Sequence, residues 1–367
     1  MSDLPGIAVL QIAPFDAERA MTGAHVITAQ VLRGLAGHAG VTLLQGAPPD
    51  GGPARPHSPW PGLTVLAAFP LDESVARRGH VAPDLTAEGR RALDRARVLL
   101  TMERTVALPV TVPRVACLGG LGYSHSFEVV DGGGWDLLVL PSPHARELVL
   151  RHAPGLRGVT VIENGVDLDR FAPAAPRATD GGPVRLLVPA RADPIKGLVP
   201  ALHLARALAA DGRRVELSCL DENGLCGRGT LYDDLLAEAG DVDMRLISWR
   251  SRGEMPATYR DADLTVCFSG LPEGFGLAAL ESVACGTPVL AWPAGFLADM
   301  FPPGHGLYLV DPEAPAEAWA ETARRALAEG SGLCRARGVP YARRRYDARR
   351  MVSEYRDLIL GLACSSR

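Results

Sequence analysis

Two carboxylates of this 367-residue chain have the spacing to do chemistry: Glu273 and Glu281, in the stretch Pro272-Glu273-Gly274-Phe275-Gly276-Leu277 to Cys285-Gly286-Thr287-Pro288. Leu277, Leu280, Val283 and Ala284 recur at helical spacing, and the β-prone run Leu264–Phe268 precedes them. A buried strand therefore delivers a glycine-containing loop to a helix start. Gly274 and Gly276 leave room for a ligand against the main chain. The amides of Gly274, Phe275, Gly276 and Leu277 are then N–H donors aimed at an anion, which the helix dipole favours. At the rise of a helix the two acids stand on the order of 10 Å apart. That suits hydroxyls at two ends of one ligand with a phosphate between them. The plain alternative is an amphipathic helix with one capping acid and one exposed acid.

Around this stretch the chain alternates apolar runs with helical patterns, as a parallel α/β architecture requires. Ile7–Ile12, Val41–Leu44, Leu63–Ala67, Val98–Leu100, Val115–Leu118 and Leu137–Leu140 read as strands of a first domain. Thr86–Arg97 and Pro143–His152 read as helices between them. Val184–Val188, Val215–Leu220, Met244–Ile247 and Leu264–Cys267 repeat the pattern, with helices over Leu198–Ala210 and Leu231–Ala239. Pro173–Pro183, with its Gly-Gly, reads as the linker. The boundaries expected are 1–175 and 176–344, with a last helix from about 345 to 367 belonging to the first domain. Its core is expected over Tyr341–Leu360, where an arginine cluster forms a solvated face with cross-domain ion pairs.

Composition excludes several classes. A formal net charge of -4 favours neither a nucleic acid nor an anionic membrane surface. No run of 18 apolar residues and no signal-peptide pattern is apparent, so a cytoplasmic protein is expected. The seven cysteines include no C-x-x-C pair, which argues for free thiols and against a zinc site. No histidine cluster suggests a metal, and none is expected. Arginine is used almost throughout, and the single lysine is Lys196.

The long match from Pro272 to Pro288 resembles the E-x7-E signature of retaining nucleotide-sugar glycosyltransferases of family 4. That family has the GT-B fold, two Rossmann-like α/β domains facing across a cleft, with a C-terminal helix crossing back to the N-domain. The resemblance implies that Glu273 contacts the donor sugar and Glu281 the nucleotide ribose. Pro189-Ala190-Arg191-Ala192-Asp193-Pro194-Ile195-Lys196-Gly197 resembles the family's G-R-x-x-x-x-K-G loop, which implies that Arg191 and Lys196 bind the donor diphosphate. Two fixed cations at a strand end would stabilise the charge a departing nucleoside diphosphate develops. Ile247 lies where the family's backbone meets the base, and Gly23 where its first loop approaches donor or acceptor, although a helix-start turn accounts for Gly23 equally well. Val161-Ile162-Glu163-Asn164-Gly165-Val166-Asp167 resembles a family turn whose Asn-Gly suits a left-handed backbone.

The match is weakest at Cys117-Leu118-Gly119-Gly120-Leu121-Gly122-Tyr123-Ser124-His125. The family carries a histidine directly after this strand, whereas here glycines stand there and His125 follows later. His125 and His25 are carried as candidates for contact with sugar or acceptor. The implied activity is retaining transfer of a sugar from a nucleotide-sugar to a small soluble acceptor, without a metal or other cofactor. Family frequency favours a UDP-sugar such as UDP-N-acetylglucosamine. The composition, that of a GC-rich bacterial gene, suggests an aminocyclitol or another antibiotic precursor as acceptor. Two alternatives stay open. One is a pyridoxal-phosphate glycan phosphorylase, for which only Lys196 could form the Schiff base. The other is a sugar-nucleotide-binding protein without turnover.

Overall fold

The computed structural model describes residues 4–12, 15, 23–47, 56–70, 84–102, 108, 110–119, 121, 124–175, 181–191, 194–221, 231–248 and 251–365. The chain divides into two units, Met1–Gly165 with Ala348–Arg367, and Val166–Asp347. The division at Gly165 lies before the proline-rich stretch expected as the linker. Val166, Leu168 and Phe171 are buried in the core of the second unit, so the chain has already joined it there.

Among the described residues the first unit is built on β1 (Gly6–Gln11), β2 (Gly40–Gly46), β3 (Leu63–Phe69), β4 (Val98–Met102), β5 (Arg114–Cys117), β6 (Leu137–Leu140) and β7 (Val159–Val161). They form one parallel sheet in the order β3-β2-β1-β4-β5-β6-β7. Strands covered on both faces read as continuous apolar runs, which is why Val-Leu-Leu in β4 and Leu-Leu-Val-Leu in β6 were legible. The helix Pro143–His152 starts where expected: the Ser142 hydroxyl accepts from the Ala145 amide at 3.1 Å, with proline in the first turn. Thr86 caps the helix Ala87–Asp94 in the same way.

The second unit carries β8 (Val184–Arg191), β9 (Val215–Asp221), β10 (Val242–Ser248), β11 (Leu264–Cys267), β12 (Val289–Ala291) and β13 (Leu307–Leu309), all parallel in the order β10-β9-β8-β11-β12-β13. Alternate residues serve opposite faces. Leu186, Val188 and Leu290 pack with the helices Leu198–Ala209 and Ala316–Leu333. Leu187, Val289 and Ala291 pack with the helix Leu277–Ala284. The expected fold class, two Rossmann-like parallel sheets, is the one observed.

In each sheet the strand order reverses at one point, between β1 and β4 and again between β8 and β11. In open α/β sheets the loops at the carboxyl ends of the strands flanking such a point are where ligands bind.

Two local expectations need correction. The terminal helix expected through Tyr341–Leu360 is broken into Val339–Arg345 and Ala348–Ser365. The break is tertiary in origin: Tyr346 is fully buried, its hydroxyl donates to the Met300 carbonyl at 2.8 Å, and its own carbonyl accepts from the Val166 amide at 2.9 Å. The second piece packs in the first unit through Met351, Tyr355, Ile359 and Ala363, one buried residue per turn, with Val352 seated over Gly34. Gly165 is not among the glycines in the left-handed region. Its amide instead donates to Met351 Sδ at 3.2 Å. The arginines of the expected cluster bond mostly to nearby backbone and acids, Arg343 to the Leu168 carbonyl and Arg350 to Glu354 and the Glu163 carbonyl. No helix among the described residues is long and apolar enough to cross a membrane.

Candidate active site

The strongest constellation lies at the switch point of the second sheet. β8 ends at Arg191, and the chain continues through a single helical turn, Pro194–Lys196, into the helix Leu198–Ala209. Gly197 caps that helix at φ +81°, a conformation L side chains avoid. A Cβ there would meet the Phe268 carbonyl oxygen at 2.1 Å, so only glycine lets this turn lie on the end of β11. The Gly270 amide then donates to the Ile195 carbonyl at 2.9 Å and stitches the two loops together.

Those loops carry the opposed charges. Lys196 Nζ lies 3.4 Å from Glu273 Oε1, each side chain a little under one-third exposed. An ion pair so open to water contributes little to stability, and both groups remain within reach of a ligand. Glu273 is held by its backbone: its carbonyl accepts from the Phe296 amide at 3.0 Å. Gly295, at φ +61°, lies so close that a Cβ there would come within 2.3 Å of the same oxygen.

Gly276, at φ +92°, starts the helix Leu277–Ala284 without a side-chain cap; the Ala279 and Leu280 amides donate to its carbonyl, and no capping side chain stands in the way of a ligand at the amides before them. The neighbouring Phe275 side chain points into the core. It is 2% exposed, stacks on Phe296 at 5.3 Å and meets Tyr346 edge-on at 5.5 Å. Of Phe275, then, only the main chain can serve a ligand. Leu277 and Ile247 pack partly against the same core.

Glu281 stands apart from Glu273 in environment. It is 3% exposed and doubly held. Arg252 Nη2 lies 2.5 Å from its Oε1, and the Tyr259 hydroxyl donates to its Oε2 at 2.9 Å. Burial acts to lower the Arg252 pKa, but the Glu281 carboxylate outweighs this and holds the guanidinium above its ordinary value. Burial, then the charge of Glu281, pushes the Tyr259 phenol well above its ordinary range. The guanidinium of Arg252 also lies over the Phe171 ring, 4.4 Å from its centroid. Arg252 and Tyr259 escaped the sequence reading. An arginine four residues after β10, seven residues before a tyrosine on a short helix, was the only trace.

The Cys267 thiol, at the end of β11, is pushed up to about 12, by burial and then by the Glu273 carboxylate. A thiol held neutral in this way is no nucleophile at neutral pH.

The other sequence candidates fall elsewhere or outside description. Arg191 is the last residue of β8, where its backbone pairs with Leu220, and its side chain lies outside the described residues. His125 occupies the second position of the helix Ser124–Gly132, its side chain likewise outside them. Gly23 begins the helix Gly23–Ala36, exposed. His25 is half-buried two residues further on, and burial lowers its pKa below the ordinary value. Gly119, after β5, approaches Ala24 so closely that a Cβ would sit 3.4 Å from that methyl. The loop after β5 and the start of the first helix therefore share one end of the first sheet. Among the described residues no three His, Cys, Asp or Glu side chains are grouped to hold a metal ion.

Residues 175–345 match the family model described as Glycosyl transferases group 1, so that domain covers most of the second unit. A D-inositol 3-phosphate glycosyltransferase of Thermobispora bispora is 41% identical over 191 residues, 48% of this chain and 44% of that protein. One from Salinispora arenicola is 36% identical over 202 residues, 50% of this chain and 45% of that protein. The matched stretch thus spans a little under half the length of these curated relatives. Among solved structures, sucrose-phosphate synthase from Thermosynechococcus elongatus superposes with TM-score 0.74 at 17% identity, covering 98% of this chain and 100% of that one. Anabaena Alr3699/HepE in complex with UDP-glucose gives 0.70 at 15% identity, covering 98% and 99%. At such identity these likenesses establish the fold, shared along nearly the whole chain.

Proposed function

We propose that the chain is a retaining glycosyltransferase that moves a sugar from a nucleotide-sugar, a UDP-sugar, to a small soluble polyol. The observation that carries this reading is the meeting of Lys196 and Glu273 at the carboxyl ends of β8 and β11, the two strands flanking the switch point, beside the open helix start at Gly276. Lys196, with Arg191 and the first amides of the helix, would hold the diphosphate. Glu273 would accept from sugar hydroxyls, and Glu281 from the ribose. Ile247 would border the base. Gly23, with His125 near the start of the helix Ser124–Gly132, would belong to the acceptor side, in the first unit.

In the reaction the bond from the anomeric carbon to the phosphate oxygen breaks, and a bond to the acceptor oxygen forms on the same face. The acceptor's proton passes to the departing phosphate. The protein's contribution is to stabilise the charge that develops on the leaving diphosphate, and Lys196 is placed to do that. Its place 3.4 Å from the Glu273 carboxylate suits this role. The names of the curated relatives, D-inositol 3-phosphate glycosyltransferases, support a cyclitol or its phosphate as acceptor. They leave the aminocyclitol and antibiotic reading as a narrower form of the same proposal.

Calorimetric titration with UDP, GDP and ADP of the wild type and of Lys196→Ala tests the donor half. One nucleotide, UDP, should bind selectively, and the variant should bind it about 10- to 100-fold more weakly. Equal binding by both proteins would remove the central element of the proposal. Transfer to inositol phosphates and aminocyclitols, with the anomeric configuration of the product read by NMR, then tests acceptor and stereochemistry.

A further inference from the structure

Glu273 and Glu281 come from one motif but are built differently, and the difference implicates a residue outside the motif. Taking a carboxylate out of water costs several kcal/mol unless partners replace the solvent. Glu281, 3% exposed, has two such partners, one on each oxygen: the Arg252 guanidinium at 2.5 Å and the Tyr259 hydroxyl at 2.9 Å. Arg252 is itself fixed, its guanidinium over the face of Phe171, and the side chain is 19% exposed. It follows the end of β10, so it stands at the same carboxyl edge of the sheet as Lys196 and Glu273. An ionised carboxylate has about four acceptor sites. One contact to each oxygen leaves both able to accept again, now in a direction the protein has fixed. A ribose diol gains most from such an acceptor, because the carboxylate pays no ordering cost when the ligand arrives.

We infer that Arg252 is a positioning residue for recognition of the nucleotide's ribose: through its ion pair it holds the Glu281 carboxylate in one orientation for the ribose hydroxyls. Tyr259 supports it from the other oxygen. The inference rests on the ribose role of Glu281 proposed above and extends it to a residue that acts without touching the ligand.

Ribonucleotide and dideoxynucleotide binding separates this role from that of a staple for the fold. UDP and 2′,3′-dideoxy-UDP are titrated into the wild type, Glu281→Gln, Arg252→Met and Arg252→Lys, with thermal unfolding as a check on folding. If GDP or ADP proves to be the nucleotide bound, it and its dideoxy form take their place. The wild type should prefer the ribonucleotide by about ten-fold or more. Glu281→Gln and Arg252→Met should both abolish most of that preference while leaving dideoxynucleotide affinity within about two-fold. Arg252→Lys, which keeps the charge but loses the planar fork, should fall between.

If Arg252→Met weakens both nucleotides equally, or keeps the full ribose preference that Glu281→Gln loses, the inference is wrong. If Arg252→Met does not fold, Arg252→Lys carries the test, and an unchanged preference in it overturns the idea. A wild type that binds nucleotide without distinguishing ribose from dideoxyribose would instead refute the ribose role of Glu281 on which the inference stands.

Discussion

The two sheets reverse their strand order in the same way, yet what stands at the two switch points differs. After β8 and β11 the second unit gathers charge, Lys196 against Glu273, and Arg252, which follows β10, pairs with Glu281 on the helix after β11. At the ends of β1, β2 and β4 the described residues of the first unit are neutral and buried, Gln11, Gln45 and Thr101. Gln45 serves the backbone, its Oε1 accepting from the Phe15 amide at 2.6 Å. A common topology supplies two candidate sites, and side-chain chemistry decides what each can hold. A diphosphate calls for fixed cations and oriented amides. A neutral polyol calls for hydroxyl and amide partners whose residue types carry little signal.

The sharpest way to break this contrast is to remove charge from one switch point and polarity from the other. Glu273→Gln should reduce transfer by about 10²- to 10³-fold, the usual scale for losing one group that stabilises a transition state. UDP affinity should change far less, since the diphosphate contacts survive. Gln45→Ala in the first unit should leave UDP affinity within about two-fold. Steady-state kinetics and calorimetry on the same preparations decide the matter. A large loss of nucleotide affinity in Gln45→Ala would mean that the donor is not held by the second unit alone.

A smaller change probes how Glu273 is placed. Gly295→Ala adds one methyl whose carbon would lie 2.3 Å from the Glu273 carbonyl oxygen, at a backbone angle that alanine resists. The loop must shift, and a displacement of about 1 Å at a reacting centre can cost about 10²-fold in rate. The expected result is a fall in kcat with nucleotide affinity nearly kept, because Lys196 does not depend on this contact. An unchanged kcat in a folded variant would show that Glu273 tolerates displacement and does not orient the sugar.

How much of this was legible in the chain follows from the range of each interaction. β4 and β6 announce themselves because a buried parallel strand is apolar throughout. Lys196 and Glu273 announce themselves because each follows such a strand within a glycine-bearing loop. The pairing of Arg252 and Tyr259 with Glu281 was not legible, since it joins β10, a short helix and the motif helix, which only the folded sheet brings together. The break at Tyr346 was missed for the same reason: local propensity favours one continuous helix, and the bond to the Met300 carbonyl overrides it. In the first unit the sequence pointed to His125 and Gly23 from a family pattern that the chain follows poorly there, and the described residues at the ends of β1, β2 and β4, Gln11, Gln45 and Thr101, carry no charge.

The least change, and the one that sharpens the first unit's side of the contrast, concerns His25. Burial holds its imidazole below the ordinary value of 6.5, so the native state favours the neutral ring. The unfolded chain takes up a proton that the folded one resists. Stability is therefore whole above 6.5 and is lost as the pH falls toward the lower native value. Acid should weaken this unit even though no catalytic charge is involved. His25→Gln has no such proton to take up, and its thermal midpoint should fall less than that of the wild type between about pH 7.5 and about pH 5.5, by a few degrees at most. Equal falls in both proteins would mean that His25 titrates freely at the surface, and would leave it open to solvent and acceptor rather than sheltered at the start of its helix.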